Sequence, residues 1–178
     1  MNNNEKSKTK PNTNEKSKTK PTTKQTTKKL KLKMGELNEL LFLKDMEKFF
    51  NENNHNIEMV KTYDKFYPID FILTKLNDTW CYIELKSRIN YDDEELKLFI
   101  SYSKINYIKA FEMKNVIIVW WNMETLSYFY VLLTNELIDE LLNSRTKLVC
   151  STRTIIVDKK YVSKTKSIND IGKIVVDL

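Results

Sequence analysis

Three residues in the middle of the chain have the types and spacing for metal-assisted chemistry. Asp70 sits at the start of an apolar stretch, Ile69–Thr74. Glu84 and Lys86 sit two apart in a second stretch, Thr79–Lys86 (TWCYIELK). In a strand, side chains alternate between faces, so Glu84 and Lys86 share one face at a separation of about 7 Å. The same alternation puts Trp80 and Tyr82 on that face and Cys81, Ile83 and Leu85 on the other. On the preceding strand it sets Asp70, Ile72 and Thr74 against Ile69, Phe71 and Leu73. Two carboxylates and an ammonium then converge on an otherwise apolar hairpin. Burying such charges is costly unless they pair or bind a metal. Carboxylate oxygens, water and a substrate phosphate can complete an octahedral Mg²⁺ or Mn²⁺ site. A metal held there polarises a phosphodiester and lowers the pKa of a bound water, while Lys86 orients the water or stabilises developing charge. The plainer reading is a solvent-facing strand with a cross-strand Asp–Lys pair. The [DE]-x-K spacing recurs at Glu95/Lys97, Glu112/Lys114 and Asp158/Lys160, but only Glu84/Lys86 lies in an apolar strand that follows an Asp-headed one.

The elements that position these residues read as follows. Met34–Glu52 has apolar residues at helical spacing. Ile57–Lys61 is a short strand, Tyr63–Pro68 a turn, and Ile69–Thr74 and Thr79–Lys86 a hairpin closed by Lys75–Asp78. Ser87–Glu95 is polar, its acidic run Asp92–Glu95 reading as a solvated loop and helix start. Leu96 to about Lys114 is helical, and Val116–Trp121 is a strand buried on both faces. Leu126–Leu133 is a strand, Asn135–Leu142 a helix, and residues 147–157 and 173–177 short β segments. The fold class is α/β or α+β with a mixed central sheet.

Charge and composition bound the function. The chain has 178 residues, with 30 Lys+Arg against 24 Asp+Glu. Residues 1–33 hold eleven Lys and two Glu, so the other 145 residues carry 19 basic and 22 acidic side chains. The basic excess belongs to an expected disordered tail with a ten-residue repeat, NNNEKSKTKP then NTNEKSKTKP. The domain is expected over 34–178. Two Gly exclude a Walker loop and a GxGxxG fingerprint. A single His and two Cys exclude two-His and four-Cys zinc sites. No stretch has the length and apolarity of a membrane-spanning helix, so no membrane partner is expected. The absence of an apolar signal segment and two unpaired thiols point to an intracellular location. The tail, as a mobile polycation, would raise local nucleic-acid concentration.

The string Pro68-Ile69-Asp70, thirteen residues, then Glu84-Leu85-Lys86 resembles the PD-(D/E)xK nuclease superfamily, which includes restriction endonucleases, Holliday-junction resolvases and viral exonucleases. The motif departs from the superfamily in reading P-x-D. Gly35 followed four residues later by Glu39 resembles the superfamily's first helix, whose glutamate reaches the metal; as a plain helix-start acid Glu39 would be favoured by the macrodipole instead. Phe99–Ile105 (FISYSKI) resembles a stretch in nuclease-like proteins of large DNA viruses and phages. The resemblance implies a restriction-endonuclease-like αβββαβ core and a Mg²⁺-dependent nuclease acting on DNA, with RNA the other candidate. It implies Asp70, Glu84 and Glu39 as metal ligands, Lys86 and Lys104 as catalytic lysines, and Arg88 with Lys104 on the nucleic acid. It also implies a homodimer, and a cytoplasmic or nuclear setting, or a viral factory or virion for a viral protein. The competing reading keeps the fold as an inactive nucleic-acid-binding or virion module.

Overall fold

The computed structural model describes residues 23–63, 67–89, 93–94, 97–149 and 151–178, with side chains from Lys33 onward. Its element order is α1 (Thr23–Glu52), β1 (Ile57–Lys61), β2 (Phe71–Lys75), β3 (Asp78–Arg88), β4 (Phe99–Ser101), α2 (Tyr102–Ala110), β5 (Val116–Asn122), β6 (Ser127–Leu133), α3 (Asn135–Asn143), β7 (Thr146–Val149), β8 (Thr152–Ile156), a single 3₁₀ turn (Lys159–Tyr161), β9 (Ser163–Thr165) and α4 (Ile168–Asp177).

Six strands form a central sheet in the order β1-β2-β3-β5-β6-β9. Only β3 and β5 pair in parallel; the other neighbours are antiparallel, so the sheet is mixed. A parallel pair needs a long crossover, and the segment carrying β4 and α2 supplies it. β4 leaves the main sheet and joins β8 and β7 in a small three-stranded sheet. The fold is a mixed α/β fold with this six-stranded sheet flanked by four helices; the α/β class and the mixed central sheet are as the sequence indicated.

The sheet separates two cores. On one side Phe42, Met46, Phe49 and Phe50 of α1 and Ile171 and Val175 of α4 cover Phe71, Leu73, Cys81, Ile83, Ile117 and Val119. On the other, Ile105 and Ile108 of α2 and Leu137, Ile138 and Leu141 of α3 cover Val116, Ile118 and Trp120. Every residue of β5 is buried, which its unbroken apolar run requires. Cys81 is buried on the face away from Glu84 as expected, and burial pushes its thiol up to about 12.

The expected elements need five corrections. α1 begins at Thr23, eleven residues before Met34, because lysines are fair helix formers and no Pro or Gly interrupts 22–34. The expected tail otherwise falls on residues 1–22, outside the described residues. The helix expected over Leu96–Lys114 is a strand, β4, followed by a nine-residue helix, α2; pairing with β8 overrides the helical pattern. Residues 173–177 lie in α4, not in a strand, since Ile171 and Val175 are helically spaced toward the core. Ile69 packs on the α2–α3 side while Phe71 and Leu73 pack on the α1–α4 side, because the chain bends at Ile69–Asp70 and β2 starts only at Phe71. Trp80 also changes face. The β2–β3 register shifts there, with Leu73 opposite Cys81 and Thr74 opposite Thr79. The extra residue turns Trp80 to the α1–α4 side, where its Nε1 donates to the Val175 carbonyl at 2.7 Å.

Candidate functional site

Glu84 lies in the parallel part of β3, opposite Ile118, with Lys86 opposite Trp120. Both face the α2 side of the sheet, as alternation requires. Glu84 is almost fully buried. Lys86 Nζ donates to its Oε1 at 2.8 Å. Lys104, in the first turn of α2, donates to the same oxygen. The β4–α2 crossover folds back over the sheet, and this places a residue twenty positions downstream on Glu84. Burial raises the Glu84 pKa, but Lys86 and Lys104 outweigh it and hold the group below the usual carboxylate range. The other oxygen, Oε2, is buried without a hydrogen-bond partner.

Asp70 comes to the same place from the bend before β2. Its N–H donates to the Ile83 carbonyl at 3.1 Å, and its Oδ2 accepts from the Leu85 N–H at 2.8 Å. Burial and the neighbouring Glu84 push its pKa up to about 7, against the lowering effect of Lys104 and the Leu85 N–H. Thr62 holds this bend. Its N–H donates to the Asp70 carbonyl at 2.8 Å, and its hydroxyl donates to the Ile69 carbonyl. Sequence reasoning missed Thr62, and no spacing signal marks it.

Glu39 approaches from α1. Its Oε2 pairs with Lys61 Nζ at 2.7 Å, with Lys61 only 11% exposed. Its charge adds to the rise of the Asp70 pKa. Lys61, at the end of the first strand, was also missed by the sequence reading. Asn38, next in the helix, is buried and donates to Ser87 Oγ at 3.0 Å, tying α1 to the strand that carries Glu84. Arg88 ends that strand. It donates to the Ser87 carbonyl at 3.0 Å, and its own carbonyl accepts from Met123 at 2.9 Å.

Of the solvated loop and helix start expected of the acidic run, the described part, Asp93–Glu94, is a turn with Glu94 exposed, and the next described element is the strand β4 and not a helix. Asp93 accepts from Asn122 (2.7 Å), Thr125 (2.6 Å) and Ser127 (3.0 Å) and pairs with Lys164 (2.7 Å). It pins the loop after β3 to the β5–β6 turn. Asp92 and Glu95 lie outside the described residues.

Among the described residues, no three Asp, Glu, His or Cys side chains form a ready metal cage. Asp70 and Glu84 nonetheless suit a small hard cation, whose ligands are oxygens and which keeps much of its water shell. The partnerless Glu84 Oε2 carries that fit: a buried acceptor left unmade costs about 1–3 kcal/mol, and a cation at this oxygen would remove the cost. No described helix is long and apolar enough to cross a membrane.

No family model matches the chain, and no curated protein sequence matches it. Among solved structures it is similar to D212, a nuclease from a fusselovirus. The two share 12% identity, with 88% of this chain and 94% of that chain covered, at a TM-score of 0.51. At that identity the likeness is one of fold, and the fold of this chain is therefore nuclease-like.

Proposed function

We propose that this protein is a divalent-metal-dependent nuclease that hydrolyses phosphodiester bonds in DNA. The observation that carries the reading is Glu84 Oε2, buried and unbonded beside two lysines, on the strand whose Leu85 N–H holds Asp70. The fold shared with a viral nuclease supports it.

In this reading Asp70 and Glu84 would hold Mg²⁺ or Mn²⁺, with Glu39 a third ligand on leaving Lys61. The ion, when bound, would supply Lewis-acid polarisation of the phosphate and a water of lowered pKa. The remaining chemistry falls to the chain. Lys86 and Lys104 would turn from Glu84 Oε1 to the phosphate oxygens and stabilise their developing negative charge. Arg88 would hold a flanking phosphate. Leu85 N–H and Thr62 keep Asp70 in place while this happens.

The test is cleavage of plasmid and branched DNA with Mg²⁺, Mn²⁺ or EDTA, by wild type, Glu84→Ala and Lys86→Ala. Metal-dependent cutting that both variants lose is the expected result. Equal silence of all three proteins, with salt-sensitive DNA binding retained, would replace the enzyme by the second reading, an inactive nucleic-acid-binding module. The ion pairs at Glu84 and Glu39 favour that second reading, because they neutralise both carboxylates without a metal.

A further inference from the structure

The α2 side of the sheet carries a line of aromatic rings that the chemistry at Glu84 does not use. Tyr82 lies two residues before Glu84 on the same face of β3, about 7 Å away along the strand. Tyr67 lies three residues before Asp70, and Tyr107 three residues after Lys104 on α2. The Tyr67 and Tyr107 rings meet edge to face at 6.2 Å, and Tyr107 stacks on Phe111 at 4.1 Å with 21° between the planes. Phe111 caps α2 and is 63% exposed, so the ring face away from Tyr107 is open to solvent. Beyond it lies a groove of about 660 Å³ between the β2–β3 turn and the α2–β5 loop. Lys75, Asp78, Tyr82, Phe111, Glu112 and Lys114 are among the residues that line it. The rings therefore lead from Asp70, Glu84 and Lys104 toward the start of β3 and into this groove.

We propose that the groove binds a single-stranded flank of the nucleic acid cut at Glu84, with a base stacked on the open face of Phe111. The choice of nucleic acid as occupant rests on the nuclease reading; the groove and its rings do not. Three observations favour a single strand. The first is the ring offered face-on, which suits a flat base, and in a duplex each base face is already covered by its neighbours. The second is charge. Lys75 and Lys114 are balanced by Asp78 and Glu112, so the lining offers donors and acceptors to a base edge and no basic track for two rows of phosphates. An apolar peptide would have to desolvate these four charged groups. The third is continuity. Tyr82 is one step of the strand pleat from Glu84, so a strand leaving the candidate site passes over these rings first.

Fluorescence anisotropy of the full chain in EDTA tests the proposal without requiring cleavage. The probes are labelled oligo(dT), an abasic deoxyribose-phosphate strand of the same length, and a blunt duplex. Phe111→Ala should weaken oligo(dT) binding by about tenfold, and Phe111→Trp should keep it. The abasic strand and the duplex should bind wild type and both variants alike. The abasic strand also accounts for the lysines of residues 1–33, whose attraction is to phosphate, and its unchanged binding shows that Phe111→Ala is folded. Oligo(dT) binding that Phe111→Ala leaves unchanged, or a loss equally large on the abasic strand, overturns the proposal. Cleavage by wild type with oligo(dT) binding unchanged in Phe111→Ala would remove the groove and keep the nuclease. A base-dependent loss in a protein that cuts nothing would do the reverse.

Discussion

The Leu85 amide nitrogen lies 2.8 Å from Asp70 Oδ2. The residue between the two charged members of the ELK motif thus holds the aspartate that precedes the strand, by its backbone and not its side chain. Asp70 is thereby fixed in a half-buried place, where the charge of Glu84 makes ionisation still less favourable.

That position makes stability depend on pH. The Asp70 pKa is about 7 folded, against an ordinary value of 3.8. Between these values the folded protein binds more protons at this group than the unfolded chain, so stability falls as pH rises from about 4 to 7. Asp70→Asn removes the dependence. It should leave stability near pH 4 unchanged and raise it at pH 8, by at most on the order of 4 kcal/mol. Urea unfolding at the two pH values measures the difference; equal effects at both would sink the assignment.

A metal should recover what ionisation loses. With Mg²⁺ or Mn²⁺ at a hundredfold excess over its dissociation constant, the folded state gains about 2.7 kcal/mol. The melting temperature at pH 8 should rise by several degrees, and less at pH 5, where a protonated Asp70 competes. Glu84→Gln should abolish the shift. Melting curves that do not respond to Mg²⁺ or Mn²⁺, or that shift equally in Glu84→Gln, would count against the site.

Glu84 also balances two ammoniums. Glu84→Gln leaves Lys86 and Lys104 facing each other around a neutral group, and breaking a buried pair this way costs about 3 kcal/mol. Adding Lys104→Met should return part of that loss without returning cleavage. A denaturation series of the single and double variants reads the coupling; strictly additive effects would show that the three groups do not interact.

Asp93 is expected to matter for stability. Asp93→Ala removes an acceptor from Asn122 and from Ser127, both buried, and an ion-pair partner from Lys164. The loss should be about 3 kcal/mol at pH 7. Burial raises the Asp93 pKa, but Lys164, Thr125, Asn122 and Ser127 hold it well below the usual range. Its contribution is therefore present above pH 4 and fades under acid, and the gap between wild type and variant should narrow there.

Gly172 seats α4 on α1. A Cβ at this position would come within 2.2 Å of the Phe49 ring, which is itself buried. Gly172→Ala gains about 1 kcal/mol of helix propensity but overpacks the contact by about 1–3 kcal/mol. A net loss is expected, read as a lower urea midpoint with unchanged cleavage.

Local pattern in the sequence determined much of this protein. The period-two alternation of TWCYIELK set Glu84 and Lys86 on one face and Cys81 on the other. The unbroken apolar run of β5 required a strand buried on both sides. Apart from β4, the order of elements through β6 and α3 followed from periodicity, because amphipathic faces must be buried whatever covers them. What the tertiary structure alone decided involves contacts between distant residues. The bulge at Trp80 depends on the partner strand, the strand β4 on pairing with β8, and the bend at Asp70 on Thr62. Lys61 meets Glu39, and Lys104 shares an oxygen of Glu84 with Lys86, only because the sheet order and the β3–β5 crossover bring separate elements together. No residue type or spacing encodes these meetings, since each arises from long-range packing and not from local chain geometry.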